Sequence, residues 1–164
     1  ICSIAWSTKE KMIAINNPGN IRYNPGYRGC TGSNKGFCNF STIGFGYRAI
    51  LTTLTTYYNK YGLKTIRGII TRYAPPGENK TDYYIQQVAR YSGLDPNQNL
   101  AQEDLIKLIP AIVKMENSIN ITVAEVQKQI DSANSGGTIA LSALAVILAL
   151  YFGYTFIKWV LAKS

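Results

Sequence analysis

The chain of 164 residues has room for one domain of ordinary size, carries a net charge of +8 and contains no histidine. Without imidazole, Ser-His-Asp and Cys-His catalysis and histidine-ligated zinc are excluded, and no Cys-x-x-Cys pair offers a metal site instead, so neither metal nor cofactor is expected. Bond cleavage would fall to carboxylates, which favours glycosidic bonds, where Asp or Glu supplies acid and base.

The charge is uneven. Residues 1–77 carry ten Lys and Arg against the single acid Glu10. That half suits an anionic partner such as peptidoglycan carboxylates, acidic lipid headgroups or nucleic acid, and a generally basic, solvated surface explains the charge equally well.

Ile1 to Ser7 is apolar but too short for a signal peptide, and Thr8 to Ala14 predicts a short helix bearing Glu10. Asn16-Asn17-Pro18-Gly19-Asn20-Ile21-Arg22 follows, a turn dense in side-chain amides. Such amides either bond their own backbone or face outward as donors and acceptors for a sugar. From Tyr23 to Asn39 the density of Gly, Pro, Asn and Ser predicts a loop or short hairpin, with a strand over Phe37 to Ser41. Cys30 and Cys38 bracket a Gly-rich run, so they form either a disulfide or two reduced thiols, and Cys2 is left without a role.

Beyond Gly44-Phe45-Gly46 the period changes. Tyr47, Ile50, Leu51, Leu54, Tyr57, Tyr58 and Tyr61 recur at helical spacing, predicting an amphipathic helix over 46–61 that stops at Gly62. A second helix is expected from Thr65 to Tyr73, and Pro75-Pro76-Gly77 breaks it. Thr81 then caps a helix over Asp82 to Ser92, with Gly93 as its C-terminal stop.

Asn99 caps the next helix, which runs through Leu105, Leu108, Ile109 and Ile112 to Glu116 with a kink or new turn at Pro110. Glu116 falls four residues after Ile112 and eight after Leu108, on the apolar side of that helix. A carboxyl there is desolvated, raising its pKa and suiting a general acid, or else it caps or ion-pairs at the core's edge. Thr122 and Glu125 have capping-box spacing, predicting a last helix to about Ser132. Residues 133–138 read as a Gly/Ser linker. The nineteen uncharged residues from Ile139 to Ile157 then predict a transmembrane helix over 139–161, since about 1.5 Å per residue spans a core of roughly 30 Å.

Three stretches taken together resemble a known family: Asn16 to Arg22, Gly44-Phe45-Gly46-Tyr47-Arg48-Ala49, and Tyr73 to Thr81 with Tyr84-Ile85. Over residues 15–117 the chain resembles phage virion-associated lytic-transglycosylase-like and muramidase-like proteins. The resemblance implies a mainly α (α+β), small lysozyme-like helical domain with a Gly-rich hairpin over residues 1–132, acting on the peptidoglycan glycan strand. Ile112 to Asn117 looks like the helix end that carries the catalytic Glu of lytic transglycosylases, although in most lysozyme-like chains that helix precedes the hairpin. Glu116, Glu78 and Glu10 therefore stand as candidate acids. Asn17, Asn20, Arg22, Tyr47, Arg48, Asn79 and Tyr84 are candidate substrate contacts.

The expected protein is a virion enzyme anchored by its C-terminus in a lipid membrane, with capsid or other virion proteins as further partners. A structural virion protein of the same fold is the competing expectation. Nucleic-acid binding by Tyr47 to Arg72 is a third reading, weakened by the helical spacing of its tyrosines and the lack of a recognised motif.

Overall fold

The computed structural model describes residues 16–77 and 80–136. The chain divides into two units, Ile1–Ile130 and Asp131–Ser164, and of the second only residues 131–136 are described.

The first unit is helical with one small sheet. Strands β1 (Cys30–Asn34) and β2 (Phe37–Phe40) form an antiparallel hairpin, with Asn34 opposite Phe37. Lys35 and Gly36, at φ +50° and +84°, make the two-residue turn, whose left-handed centre matches the twist of the strands. The register shifts between Cys30 and Gly32. Along the other edge of β2, Tyr23 N donates to Gly36 O at 2.8 Å and Cys38 N to Ile21 O at 3.0 Å, tying the amide-rich loop to the hairpin.

Helix α1 (Ile43–Lys60) starts under the cap of Thr42, whose hydroxyl accepts from Phe45 N, and buries Tyr47, Ile50 and Leu54 on one stripe. Its start three residues ahead of the expected boundary places Gly44 and Gly46 inside the helix. Gly62, at φ +67°, follows its end. Helix α2 (Ile66–Tyr73) is capped by Thr65, whose Oγ1 accepts from Gly68 N at 3.1 Å. Helix α3 (Thr81–Ser92) ends at Gly93 in the left-handed conformation. Thr81 is its first residue rather than its cap, because its hydroxyl donates instead to Ala74 O at 2.7 Å.

A short 3₁₀ turn (Gln102–Asp104) leads into α4 (Leu105–Asn117), entered through Ala101 and Asp104 rather than Asn99. Leu105, Leu108, Ile109, Ala111, Ile112 and Val113 are all buried, which makes α4 the centre of the core, packed on α1 and α3. Pro110 removes one intrahelical donor but the helix runs on through it. Helix α5 covers residues 123–130 in this unit; it opens with the reciprocal Thr122–Glu125 capping box and buries Val126 and Ile130. In the second unit residues 131–136 are helical, including the Ser135-Gly136 assigned above to a linker.

The expected C-terminal transmembrane helix is corrected. Among the described residues no helix is long and apolar enough to cross a membrane. The 18-residue α1 carries Arg48, Lys60 and four threonines, and the apolar α4 has 13 residues, about 20 Å at 1.5 Å per residue. Residues 139–161, on which that expectation rested, lie outside the described residues. The described fold is a helical domain with a two-stranded hairpin.

Candidate active site

The site is organised by the Asn16–Arg22 loop. Asn16 and Asn20 stand at φ +53° and +50°, where Asn is better tolerated than most residues with a Cβ. Asn17 is fully buried, and its amide is used up by backbone: Nδ2 donates to Ile21 O and Cys38 O, both at 2.9 Å, while Oδ1 accepts from Ile21 N at 2.8 Å. It holds the turn closed and pins it to β2, leaving nothing for a ligand.

Two glycines let this loop lie on α1. A Cβ on Gly46 would stand 2.1 Å from Asn16 O, and one on Gly19 would stand 2.5 Å from Ile50 Cγ1. From the other side Tyr73 Oη donates to Gly19 O at 2.5 Å and Asn117 Nδ2 to Pro18 O at 2.6 Å. Helices α1, α2 and α4 thus grip consecutive residues of the loop, and the result is the placement of Asn20 against Glu116.

Glu116 sits in the last turn of α4. Its Oε1 accepts from Tyr84 Oη at 2.9 Å, and its Oε2 accepts a short hydrogen bond from Asn20 Nδ2. Burial pushes the carboxyl above the usual carboxylate range, while the Tyr84 and Asn20 hydrogen bonds oppose that rise without cancelling it. Burial, and next the Glu116 charge, raise the Tyr73 hydroxyl far above its ordinary value. Tyr84 is raised likewise by burial, then by Tyr73 and Glu116. Both phenols therefore stay neutral donors, and their rings meet edge to face at 6.5 Å.

Glu116 opens into a cleft of about 470 Å³ whose wall includes Asn20, Arg22, Tyr27, Tyr57 and Tyr73. Among the described residues lining it, Glu116 is the one carboxylate. Asn20 Oδ1 is buried and has no hydrogen-bond partner among the described residues. Turning that amide over would present Oδ1 to a protonated carboxyl, so Asn20 can partner either state of the acid. No group of three or more Cys, Asp or Glu converges to hold a metal ion among the described residues.

Of the candidate residues, Glu116, Asn20, Tyr84 and Arg22 come together. Arg22 is exposed, with its guanidinium 5.5 Å from the centre of the Phe37 ring. Tyr47 lies in the core, its hydroxyl raised by burial and by the Glu125 charge, and Arg48 lies on α1 outside the cleft lining. Glu10, Glu78 and Asn79 lie outside the described residues.

Cys30 and Cys38 are free thiols, which corrects the disulfide alternative. The register pairs Cys30 with Phe40 and Cys38 with Ser33, so the two are not cross-strand partners. Cys38 Sγ donates instead to Asn24 O at 3.6 Å, and burial together with a hydrogen bond to Cys30 pushes its thiol up to about 11.

Tyr73, Tyr57 and Asn117 were missed among the site residues. Asn117 carries a legible signal, a polar residue four beyond the buried Val113 on an otherwise apolar stripe. Tyr73 ends the buried series Ile66, Ile69 and Ile70 and stands first in one of the motifs.

Fold and site together define a small helical domain that presents one half-buried glutamic acid, bracketed by an amide and a phenol, to a polar, aromatic-walled cleft. No protein-family model matches the sequence. The chain is similar to Protein P5 of Pseudoalteromonas phage PM2, a bacteriophage protein, with 44% identity over 93 residues that make up 56% of this chain and 58% of that protein. The chain thus covers less than two thirds of that relative's length.

Proposed function

We propose that this chain is a peptidoglycan-cleaving enzyme carried by a bacteriophage particle, a lytic transglycosylase that breaks the bond between N-acetylmuramic acid and N-acetylglucosamine. Glu116 is its acid. The observation that supports this most is the carboxyl itself: raised by burial, held by Tyr84 and Asn20, and open to a cleft. The bacteriophage relative supports the setting.

The chemistry needs one acid. Protonated Glu116 gives its proton to the glycosidic oxygen as the bond from the muramic acid C1 breaks, and the resulting carboxylate is stabilised by the Tyr84 and Asn20 donors. The carboxylate then takes the proton of the same sugar's C6 hydroxyl as that oxygen bonds to C1. The products are an anhydro ring and a free N-acetylglucosamine end, and Glu116 is again protonated. A hydrolytic muramidase would place a second carboxylate for water or for a covalent intermediate. The described lining offers Glu116 alone, which favours the one-acid route.

Mass spectrometry of material released from purified sacculi tests the proposal. Anhydro ends, lighter by one water than reducing ends, are expected. Reducing ends would make the protein a hydrolase, and no release would leave the competing reading, a non-catalytic virion protein.

A further inference from the structure

The cleft continues beyond Glu116 into a shallow hollow lined by Tyr57, Leu63, Gly68, Thr71, Arg72 and Pro75; Tyr57 and Pro75 belong to both. Arg72 is an exposed residue in the last turn of α2. Its guanidinium carbon lies 3.8 Å from the centre of the Tyr61 ring and 5.3 Å from that of Tyr57, and those two rings meet edge to face at 6.2 Å. Among the described residues no carboxylate pairs with it; the ion pair that α2 makes is Arg67 with Asp82.

A guanidinium held against an aromatic ring still has N–H groups for a planar anion, and the contact restricts the side chain before any ligand arrives. A cation so ordered, unpaired and contiguous with a cleft has the makings of a recognition point. We propose that the Arg72 hollow is a second subsite that binds a carboxylate carried on the glycan strand while the strand's sugars occupy the Glu116 cleft. This rests on the glycan-cleaving reading and deepens it, naming the acidic branch as what distinguishes the substrate from an uncharged polysaccharide. On such a strand the carboxylate belongs to the stem peptide where the lactyl group of muramic acid is amide-linked to one, and to the lactyl group itself where it is not.

Calorimetric titration in a Glu116→Gln background, which prevents turnover, tests this with three ligands of matched length. They are peptide-bearing strands, strands stripped of peptide and so carrying the lactyl carboxylate alone, and chitin oligosaccharides, which carry none. Adding Arg72→Gln is expected to weaken binding of peptide-bearing strands about tenfold, the scale of one lost charge-assisted hydrogen bond, and to leave chitin binding unchanged. Arg72→Lys, which keeps the charge and loses the fork, should fall between. An equal loss on stripped strands supports carboxylate recognition and means that the subsite takes the lactyl carboxylate freed there as well as that of the peptide. An unchanged affinity for both acidic ligands, or an equal loss on chitin, overturns the subsite while leaving the glycan reading standing. If the Arg72 parent binds none of the three, the glycan reading falls and takes the subsite with it.

Discussion

Tyr84 Oη donates to Glu116 Oε1 at 2.9 Å, and this bond opposes the burial that raises the carboxyl. Removing the hydroxyl with Tyr84→Phe takes away a stabiliser of the charged form, so the Glu116 carboxyl should rise further. A general acid is active while protonated, and the rate falls as pH rises through its pKa. The alkaline limb of the pH profile is therefore expected at higher pH in Tyr84→Phe than in the parent, with a lower maximal rate. A limb that stays in place or moves down would contradict the role given to this bond.

The same burial makes stability depend on pH. A folded-state value above the unfolded one means that the native protein holds this proton more tightly, so the contribution is fully present below the ordinary carboxyl value. It is lost as pH rises through the raised native value. Asp104 and Glu125 are both lowered, the half-buried Asp104 first by its Lys107 hydrogen bond and the exposed Glu125 first by the Thr122 backbone N–H. They act in the other window, losing their contribution as pH falls below the ordinary value. Urea unfolding across pH should show a decline above the ordinary carboxyl range in the parent, absent in Glu116→Gln. Parallel curves for the two proteins would refute it.

Gly46→Ala drives a methyl to within 2.1 Å of the Asn16 carbonyl, so either the loop or α1 must move. A loss of about 1–3 kcal/mol is expected from such overpacking. Gly32→Ala meets nothing within 4 Å and serves as the control, with little change in thermal midpoint. Equal midpoints for the two variants would mean that the loop does not lie against α1.

Asn17→Ala takes the amide partner from Ile21 N and Cys38 O in a buried place, while Ile21 O keeps the Cys38 N donor. At about 1–3 kcal/mol for each unsatisfied group, the variant should be severely destabilised or fail to fold. Asn17→Asp should be as damaging, since its acceptor oxygen would face two carbonyls. A stable Asn17→Ala protein with weakened glycan binding would instead return this residue to the substrate groove.

Much of the scaffold was legible because it is written in local signals. The Tyr47–Ile50–Leu54 stripe, the Thr65 cap, the left-handed Gly93 and the Thr122–Glu125 box each act within a turn or two of their own position. The side facing the cleft is different. Asn17 and Asn20 are three residues apart in one motif, yet one is a buried strut and the other touches Glu116, because the fate of each depends on α1 and α4 pressing on the loop. The Asn117–Pro18 contact spans 99 residues, beyond the reach of any spacing rule. Glu116 could be placed on the apolar face by period alone, but its partners could not. Thr81 was misplaced by one residue because a distant carbonyl, that of Ala74, took its hydroxyl.

The central claim is that Glu116 transfers the proton, and the most direct measurement is the rate of muropeptide release from purified sacculi by four proteins. These are the parent, Glu116→Gln, Glu78→Gln and Glu10→Gln. The account predicts a loss of at least about a hundredfold in Glu116→Gln, the scale of a missing general acid, with activity kept in the other two. Parental release by a folded Glu116→Gln protein would contradict it, and a selective loss in Glu78→Gln or Glu10→Gln would move the acid to that residue.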